Sequence, residues 1–297
     1  MSTVKYAGHS TGHPRRLHAG EFRQLRDLVN LHAGLQFGDD AITLFERRLA
    51  GRLTALQLDG FDEYYKYLRF GRRGPSELEE VIERLVTTET YFFRQEYQLR
   101  AFRDELLPRF AKELAHRRRL VVWSAGCCTG EETYTLAIIV RQSGRFLGWD
   151  VRIIGSDISK PNVAAARRGV YRSSSFRVTS PEFRRAHFTE RGDGLHIDED
   201  IRRMCHFGQM NLLDPDRTAI VGQVDAIFCR NVLIYFDVRS RRKVIQNLYH
   251  RLNPGGYLLL GHSESLLNVT TAFELVHLNE DLVYRRPVGP NAAGRHP

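Results

Sequence analysis

The sequence predicts an α/β protein: a small all-α domain, then a larger domain whose mostly parallel sheet carries helices on both faces. Three observations predict this. Residues 21–88 repeat apolar positions at a helical spacing. From about residue 99, short apolar runs alternate with amphipathic stretches, the pattern of parallel strands joined by crossover helices. One stretch, 171–209, breaks that alternation with a Gly-Asp-Gly turn between short strand-like runs, which reads as a small antiparallel insertion.

The lead-in, residues 1–20, is rich in His, Gly, Ser and Arg and is expected to be flexible, as is the tail at 287–297. In the helical domain, 21–88, Phe22, Leu25, Leu28, Val29 and Leu35 recur near a 3.6-residue period, as do Ile42, Phe45, Leu49 and Leu53. Asp39 or Asp40 is placed to cap the second helix, and Pro75 to start the fourth. Arg47, Arg48, Arg52, Lys66, Arg69, Arg72 and Arg73 make this domain basic. They read either as a solvated helix face or as a docking surface for an acidic partner.

The second domain, 89–286, opens on a helix from Leu99. Strands are expected at Leu120–Gly126, Val151–Ile158, Val224–Asn231 and Gly255–Glu264, with helices at Gly130–Gly144, 160–170 and 237–252. The run MCHFGQMNLL returns to the sheet after the insertion, and AFELVHL with DLVYRRP forms a closing hairpin.

Composition narrows the function classes. The net charge of +9, from 44 basic and 35 acidic residues, reads either as favouring an acidic partner (nucleic acid, anionic lipid or an acidic protein surface) or as a merely basic, soluble surface. No apolar run approaches the roughly 20 residues that span a membrane. The N-terminus has no apolar h-region, so no signal peptide is expected. Four cysteines with neither pairing nor zinc spacing fit reduced thiols in a cytoplasmic protein, and no metal site is expected.

The chemistry sits at the strand ends. In an open parallel sheet the ligand lies beyond the carboxyl ends of the strands, at the switch in strand order. The first strand ends in Ser124-Ala125-Gly126, and its helix starts at Gly130-Glu131-Glu132. Glycine there lets the backbone approach a ligand. The loop lacks a G-x-G-x-x-G fingerprint and a P-loop lysine, which disfavours a pyrophosphate. Asp157 ends the second strand, where a carboxylate accepts the hydroxyls of a ribose; its alternative is a helix N-cap. Asn211 and Leu212 follow the next strand-like run, beside an adenine. A ribose carboxylate without a phosphate loop fits S-adenosylmethionine better than a nicotinamide dinucleotide.

Four segments sharpen this reading: TTETYFFR (Thr87–Arg94), WSAGCCTGEETYTLAI (Trp123–Ile138), FCRNVLIYFD (Phe228–Asp237) and LNPGGYLLLGHSES (Leu252–Ser265). Together, over roughly Glu21 to Arg286, they resemble the CheR family of chemotaxis receptor methyltransferases. The resemblance implies a Rossmann-like, S-adenosylmethionine-dependent methyltransferase domain. Its implied activity is transfer of a methyl group to glutamate carboxylates on the cytoplasmic domain of a chemoreceptor, with S-adenosylhomocysteine as product. By matching position it puts cofactor contacts on Thr88, Thr90 and Arg94, the methionine ammonium on Glu131, the ribose on Asp157 and the adenine region on Asn211 and Leu212. Arg230 and Asn231 lie beside the methionine part, and Tyr235 near the methyl. Thr88 stands where an Asn is frequent in the family, and Thr133 where a Pro is.

A glutamate acceptor is already ionised at neutral pH, with a reference pKa of about 4.3, and needs no general base. The resemblance therefore implies that Arg94 holds a carboxylate and Tyr235 orients one acceptor oxygen. Two rivals are weighed. A nucleic-acid methyltransferase commonly ends its fourth strand in Asn/Asp-Pro-Pro-aromatic, whereas this strand ends Cys229-Arg230-Asn231-Val232. A non-catalytic receptor adaptor would not need Glu131, Asp157 and Tyr235. A monomer without nucleic acid or membrane insertion is expected. Members of the resembled family that bind a C-terminal receptor pentapeptide at the insertion carry a longer, more Gly-rich loop than 188–196, so the resemblance implies that this chain binds none there and meets the receptor through its basic helical domain.

Overall fold

The structure is a computed structural model that describes residues 16–289. The expected flexible lead-in and tail fall largely on 1–15 and 290–297, outside the described residues. The chain divides into two compact units, one of described residues 16–32 and 36–85, the other of 33–35 and 86–289.

The first unit consists of α1 (Ala19–Ala33), α2 (Ile42–Leu56), α3 (Phe61–Phe70) and α4 (Gly74–Leu85). Its core is the apolar stripe read from the sequence: Phe22, Leu25, Val29, Phe45, Leu49 and Leu53 are all buried, with Tyr64, Val81 and Ile82. Each such side chain contributes about 1.5–3 kcal/mol by leaving water. Pro75 lies in the first turn of α4, as expected. The capping expectation fails: Asp39 and Asp40 form a 3₁₀ turn ahead of α2, whose first residue has no side-chain cap. Asp39 instead meets Arg26 at 2.8 Å. The basic residues also divide. Arg52 is tied to the buried Glu77 by two bonds of 2.8 and 2.6 Å, and Tyr64 donates to the same carboxylate at 2.7 Å. Arg47, Arg48, Lys66, Arg69, Arg72 and Arg73 are exposed.

The second unit opens with α5 (Glu96–Ala101) and α6 (Leu107–Glu113), joined by a π-helical turn at Phe102–Leu106. The sequence predicts one continuous helix. Pro108 explains the difference, because it has no N–H to continue the ladder and its ring displaces the preceding carbonyl. Then follow β1 (Arg119–Ala125), α7 (Glu131–Gln142), β2 (Asp150–Asp157) and α8 (Lys160–Arg168). The insertion carries β3 (Val170–Tyr171), α9 (Pro181–His187), β4 (Phe188–Arg191), β5 (Gly194–Ile197) and α10 (Glu199–Arg202). The chain returns through β6 (Cys205–Gln209), α11 (Pro215–Ala219), β7 (Val224–Cys229), α12 (Val238–Arg251), β8 (Leu252–Leu260), β9 (Glu274–His277) and β10 (Leu282–Arg285).

The large sheet has the order β6-β2-β1-β7-β8-β10-β9. β1, β2, β6, β7 and β8 are parallel, and β10 and β9 close the sheet antiparallel. The insertion is a separate three-stranded sheet, β3-β5-β4, with an antiparallel hairpin whose Arg191 pairs Gly194. Chain order reverses between β1 and β7, and an open α/β sheet binds its ligand in the crevice outside the strand ends at such a switch. Two apolar layers hold the sheet, one around Phe102, Tyr134, Phe228 and Tyr257, the other around Trp123, Ile227, Leu248 and Leu258.

Candidate cofactor and methyl-transfer site

β1 stops at Ala125 because Gly126 turns to φ +86°. A Cβ on Gly126 would lie 2.4 Å from Val232, so only glycine lets the β1 and β7 loops approach this closely. The N–H groups of Gly126 and Cys127 both donate to the Ser156 carbonyl at 2.8 Å, which locks the loop to β2.

Asp157 ends β2 and is buried. Its carboxylate accepts the N–H of Cys128 and of Ser159, each at 2.9 Å, and the Asn162 amide at 3.2 Å. It is not the cap of α8: Ser159 is, accepting from Asn162 N–H. Burial pushes the Asp157 pKa up, against the pull of those donors.

The two glutamates opening α7 diverge. Glu131 accepts the Thr129 hydroxyl at 2.6 Å and the Ser175 hydroxyl of the insertion at 2.9 Å. Glu132 accepts the Ser124 hydroxyl at 2.7 Å and faces Arg230 at 3.1 Å. Burial pushes both carboxyl pKa values up. Sequence reading singled out Glu131 and passed over Glu132, Ser124 and Ser175. The adjacency of the glutamates in the helix start was the available signal.

Arg230 and Asn231 follow β7. Arg230 donates to the Arg94 carbonyl, while its Nη1 is buried without a hydrogen-bond partner. Asn231 takes φ +58°, which ends the strand two residues before the expected Asn231, and its Oδ1 is likewise buried without a partner. Arg94 is held in place by its neighbours: Phe92 stacks on Phe176 at 5.0 Å, and its N–H donates to Ser175 O. The aromatic part of TYFFR is thus an anchor in the insertion's core, a role the sequence reading did not assign. Arg94 itself donates to Glu89 O at 2.7 Å. Thr88 is exposed and Thr90 half-buried on the same segment.

Asn211 and Leu212 stand after β6. The Asn211 side-chain oxygen accepts Leu213 N–H at 3.0 Å, and Leu212 is buried in the Trp123 layer with its carbonyl accepting from Asn247. Tyr235 is 38% exposed at the end of a 3₁₀ turn, so it is not the core aromatic that an LIYF run otherwise suggests. Cys127 is buried, and burial raises its thiol pKa and that of the half-buried Cys128, so neither is a ready thiolate.

The crevice therefore gathers buried carboxylates, a glycine cradle and orphaned donors and acceptors on Arg230 and Asn231. That donor set fits a ligand with a cationic amino-acid end and a neutral ribose. Two family models match the chain: the CheR methyltransferase all-alpha domain over residues 20–86 and the CheR methyltransferase SAM binding domain over residues 88–282. The chain belongs to the CheR methyltransferase family. A chemotaxis protein methyltransferase of Vibrio parahaemolyticus is 35% identical over 270 residues, covering 89% of this chain and 96% of that one. Chemotaxis protein methyltransferase 2 of Pseudomonas aeruginosa is 32% identical, covering 84% and 88%. The chemotaxis protein methyltransferase of Salmonella typhimurium is 32% identical, covering 86% of each chain.

This CheR protein is an S-adenosylmethionine-dependent methyltransferase with an all-α domain and a Rossmann-like domain, as the sequence predicts. Nucleic-acid methylation and a non-catalytic adaptor role are not favoured by these relatives. No described helix is long and apolar enough to cross a membrane.

Proposed function

We propose that this CheR protein esterifies glutamate side chains on the cytoplasmic domain of a chemoreceptor, acting as a cytoplasmic monomer. The observation that carries the reading is the placement of an exposed tyrosine, Tyr235, one turn beyond Arg230 and Asn231 at the sheet's switch point. When bound, S-adenosylmethionine supplies an electrophilic methyl on its sulfonium. Gly126 and the loop after it give the cofactor backbone access, Asp157 accepts from its ribose, and the carboxylate of Glu131 holds its ammonium, while Glu132 is engaged by Arg230 and Ser124. Thr88, Thr90, Asn211, Leu212, Arg230 and Asn231 complete that cradle.

An ionised acceptor carboxylate needs no proton removed. The chain's own work is to orient that carboxylate and to shed its water, and orientation alone is worth several powers of ten in rate. Tyr235 donates its hydroxyl to one oxygen, leaving the other as nucleophile. Arg94 supplies a cation that draws the acidic residue in.

The test is incubation with tritiated cofactor and receptor cytoplasmic domains. Label incorporated and then released as methanol by mild alkali identifies a carboxyl ester. Alkali-stable label would refute glutamate esterification.

A further inference from the structure

We infer that Glu264 is a positioning residue for methyl transfer, its carboxylate fixing the loop that carries Asn231 and Tyr235. Glu264 lies in the turn after β8. Its Oε2 accepts the N–H of Asn231 and of Gly261, each at 2.7 Å. Its Oε1 accepts Val232 N–H at 2.8 Å and Ile234 N–H at 3.2 Å. Three of these four donors belong to the loop after β7.

That loop needs holding. Asn231 sits at φ +58°, a left-handed conformation that a non-glycine residue adopts at a cost and keeps only where the surroundings impose it. Tyr235 is one residue past the last clamped amide, and its ring is too exposed for core packing to place it. Backbone geometry therefore sets where its hydroxyl points. Hydrogen bonds to a carboxylate are shorter and stronger than neutral ones, so a single ionised side chain fixes several peptide units together.

A second observation agrees. Gly261 directly follows β8, where a Cβ would lie 2.6 Å from Glu264 Oε2 and 2.7 Å from Asn231 N. The missing side chain leaves room for the carboxylate to reach the loop. Glu264 touches no reacting atom in this scheme. It acts through the loop, and the inference rests on the reading of Tyr235 given above.

The test uses the full-length protein. Glu264→Gln keeps the shape but sets an amide NH₂ against one pair of N–H donors. Expected are faster hydrogen exchange at residues 231–234 with the rest of the sheet unchanged, and kcat lower by about 10²-fold, the effect of a misplaced contact. Combining it with Tyr235→Phe should cost less than the product of the single effects, because both act at one point. Unchanged exchange and kcat in folded Glu264→Gln, or multiplicative effects in the double variant, would overturn the inference. Unchanged kcat in Tyr235→Phe alone overturns the assignment of Tyr235 and leaves the clamp, which exchange reads independently. If Glu264→Gln fails to fold, Gly261→Ala displaces the carboxylate from the other side and should give the same exchange and kcat changes; normal values in that variant overturn the inference equally.

Discussion

Glu132 and Arg230 form an ion pair between the start of α7 and the end of β7, Oε2 to Nε 3.1 Å, with side-chain exposures of 17% and 2%. Glu132 comes from the first turn of α7, where the helix dipole favours a negative charge. Its other oxygen accepts the Ser124 hydroxyl. Removing one partner of a buried pair strands the other, at a cost of about 3–5 kcal/mol. Arg230→Met should therefore lower the urea unfolding free energy by an amount of that order. Arg230→Met combined with Glu132→Gln should recover much of the stability without recovering S-adenosylhomocysteine affinity, because the orphaned Arg230 Nη1 is also gone. A single variant as stable as the parent would show that the pair carries no energy.

The crevice carboxylates also predict a pH dependence. Glu131, Glu132 and Asp157 all have pKa values pushed up, in each case chiefly by burial. A carboxyl group whose folded pKa is raised binds protons more tightly folded than unfolded, so its contribution to stability falls as pH rises from about 4, the ordinary carboxylate value, through the raised value. His187, pushed down by burial, contributes with the opposite sign just below about 6.5 and partly cancels this. Ligand binding is the cleaner probe. A cationic cofactor favours the ionised carboxylates, so binding should release protons at mildly acidic pH and tighten as pH rises toward neutral. Calorimetry in two buffers of different ionisation enthalpy measures this release. Proton uptake on binding would contradict the assignment.

Asp157 has a structural duty beside the ribose contact proposed for it. Its carboxylate satisfies the N–H groups of Cys128 and Ser159, so Asp157→Ala would leave two donors unpaired near the crevice, each worth about 1–3 kcal/mol. Loss of binding in the alanine variant would then conflate the two roles. Asp157→Asn keeps one acceptor oxygen and nearly the same volume. It should remain folded, with a modest fall in melting temperature, and should lose most S-adenosylhomocysteine affinity. Affinity equal to the parent's by titration calorimetry would remove Asp157 from the ribose.

Strands, crossover helices, hairpin and insertion were legible in the sequence because each is a local period of apolar residues or a local turn. So were the strand-end positions of Gly126, Asp157 and Arg230, because topology puts ligands there. The contacts that hold the site were not. Glu131 and Glu132 are neighbours in sequence, but a helix turns about 100° per residue, so one faces Ser175 and the other Arg230. Glu264 meets Asn231 across 33 residues and Arg52 meets Glu77 across 25, and no local pattern records either pairing. The π-turn ahead of α6 was signalled by Pro108, whose effect on a helix is local and readable.

The pairing of Arg52 also changes how electrostatic docking is tested. Neutralising Arg47, Arg48 and Arg52 together would unmake the bidentate bond to Glu77, which is buried and also holds Tyr64. That variant would lose stability for reasons unrelated to a partner. Arg47, Arg72 and Arg73 are exposed, so changing them to Gln should cost little stability. If the basic all-α domain meets an acidic receptor surface, methylation by the parent should slow as salt rises, since exposed charges are screened beyond about 8 Å at physiological ionic strength. The triple Gln variant should be slower at low salt, chiefly through KM or the association rate, and should respond less steeply to salt. Rates measured from 20 to 300 mM salt, spanning roughly a fourfold change in screening length, decide it. A parent rate independent of salt, or a triple variant with the parent's slope, would show that these arginines are only a solvated face.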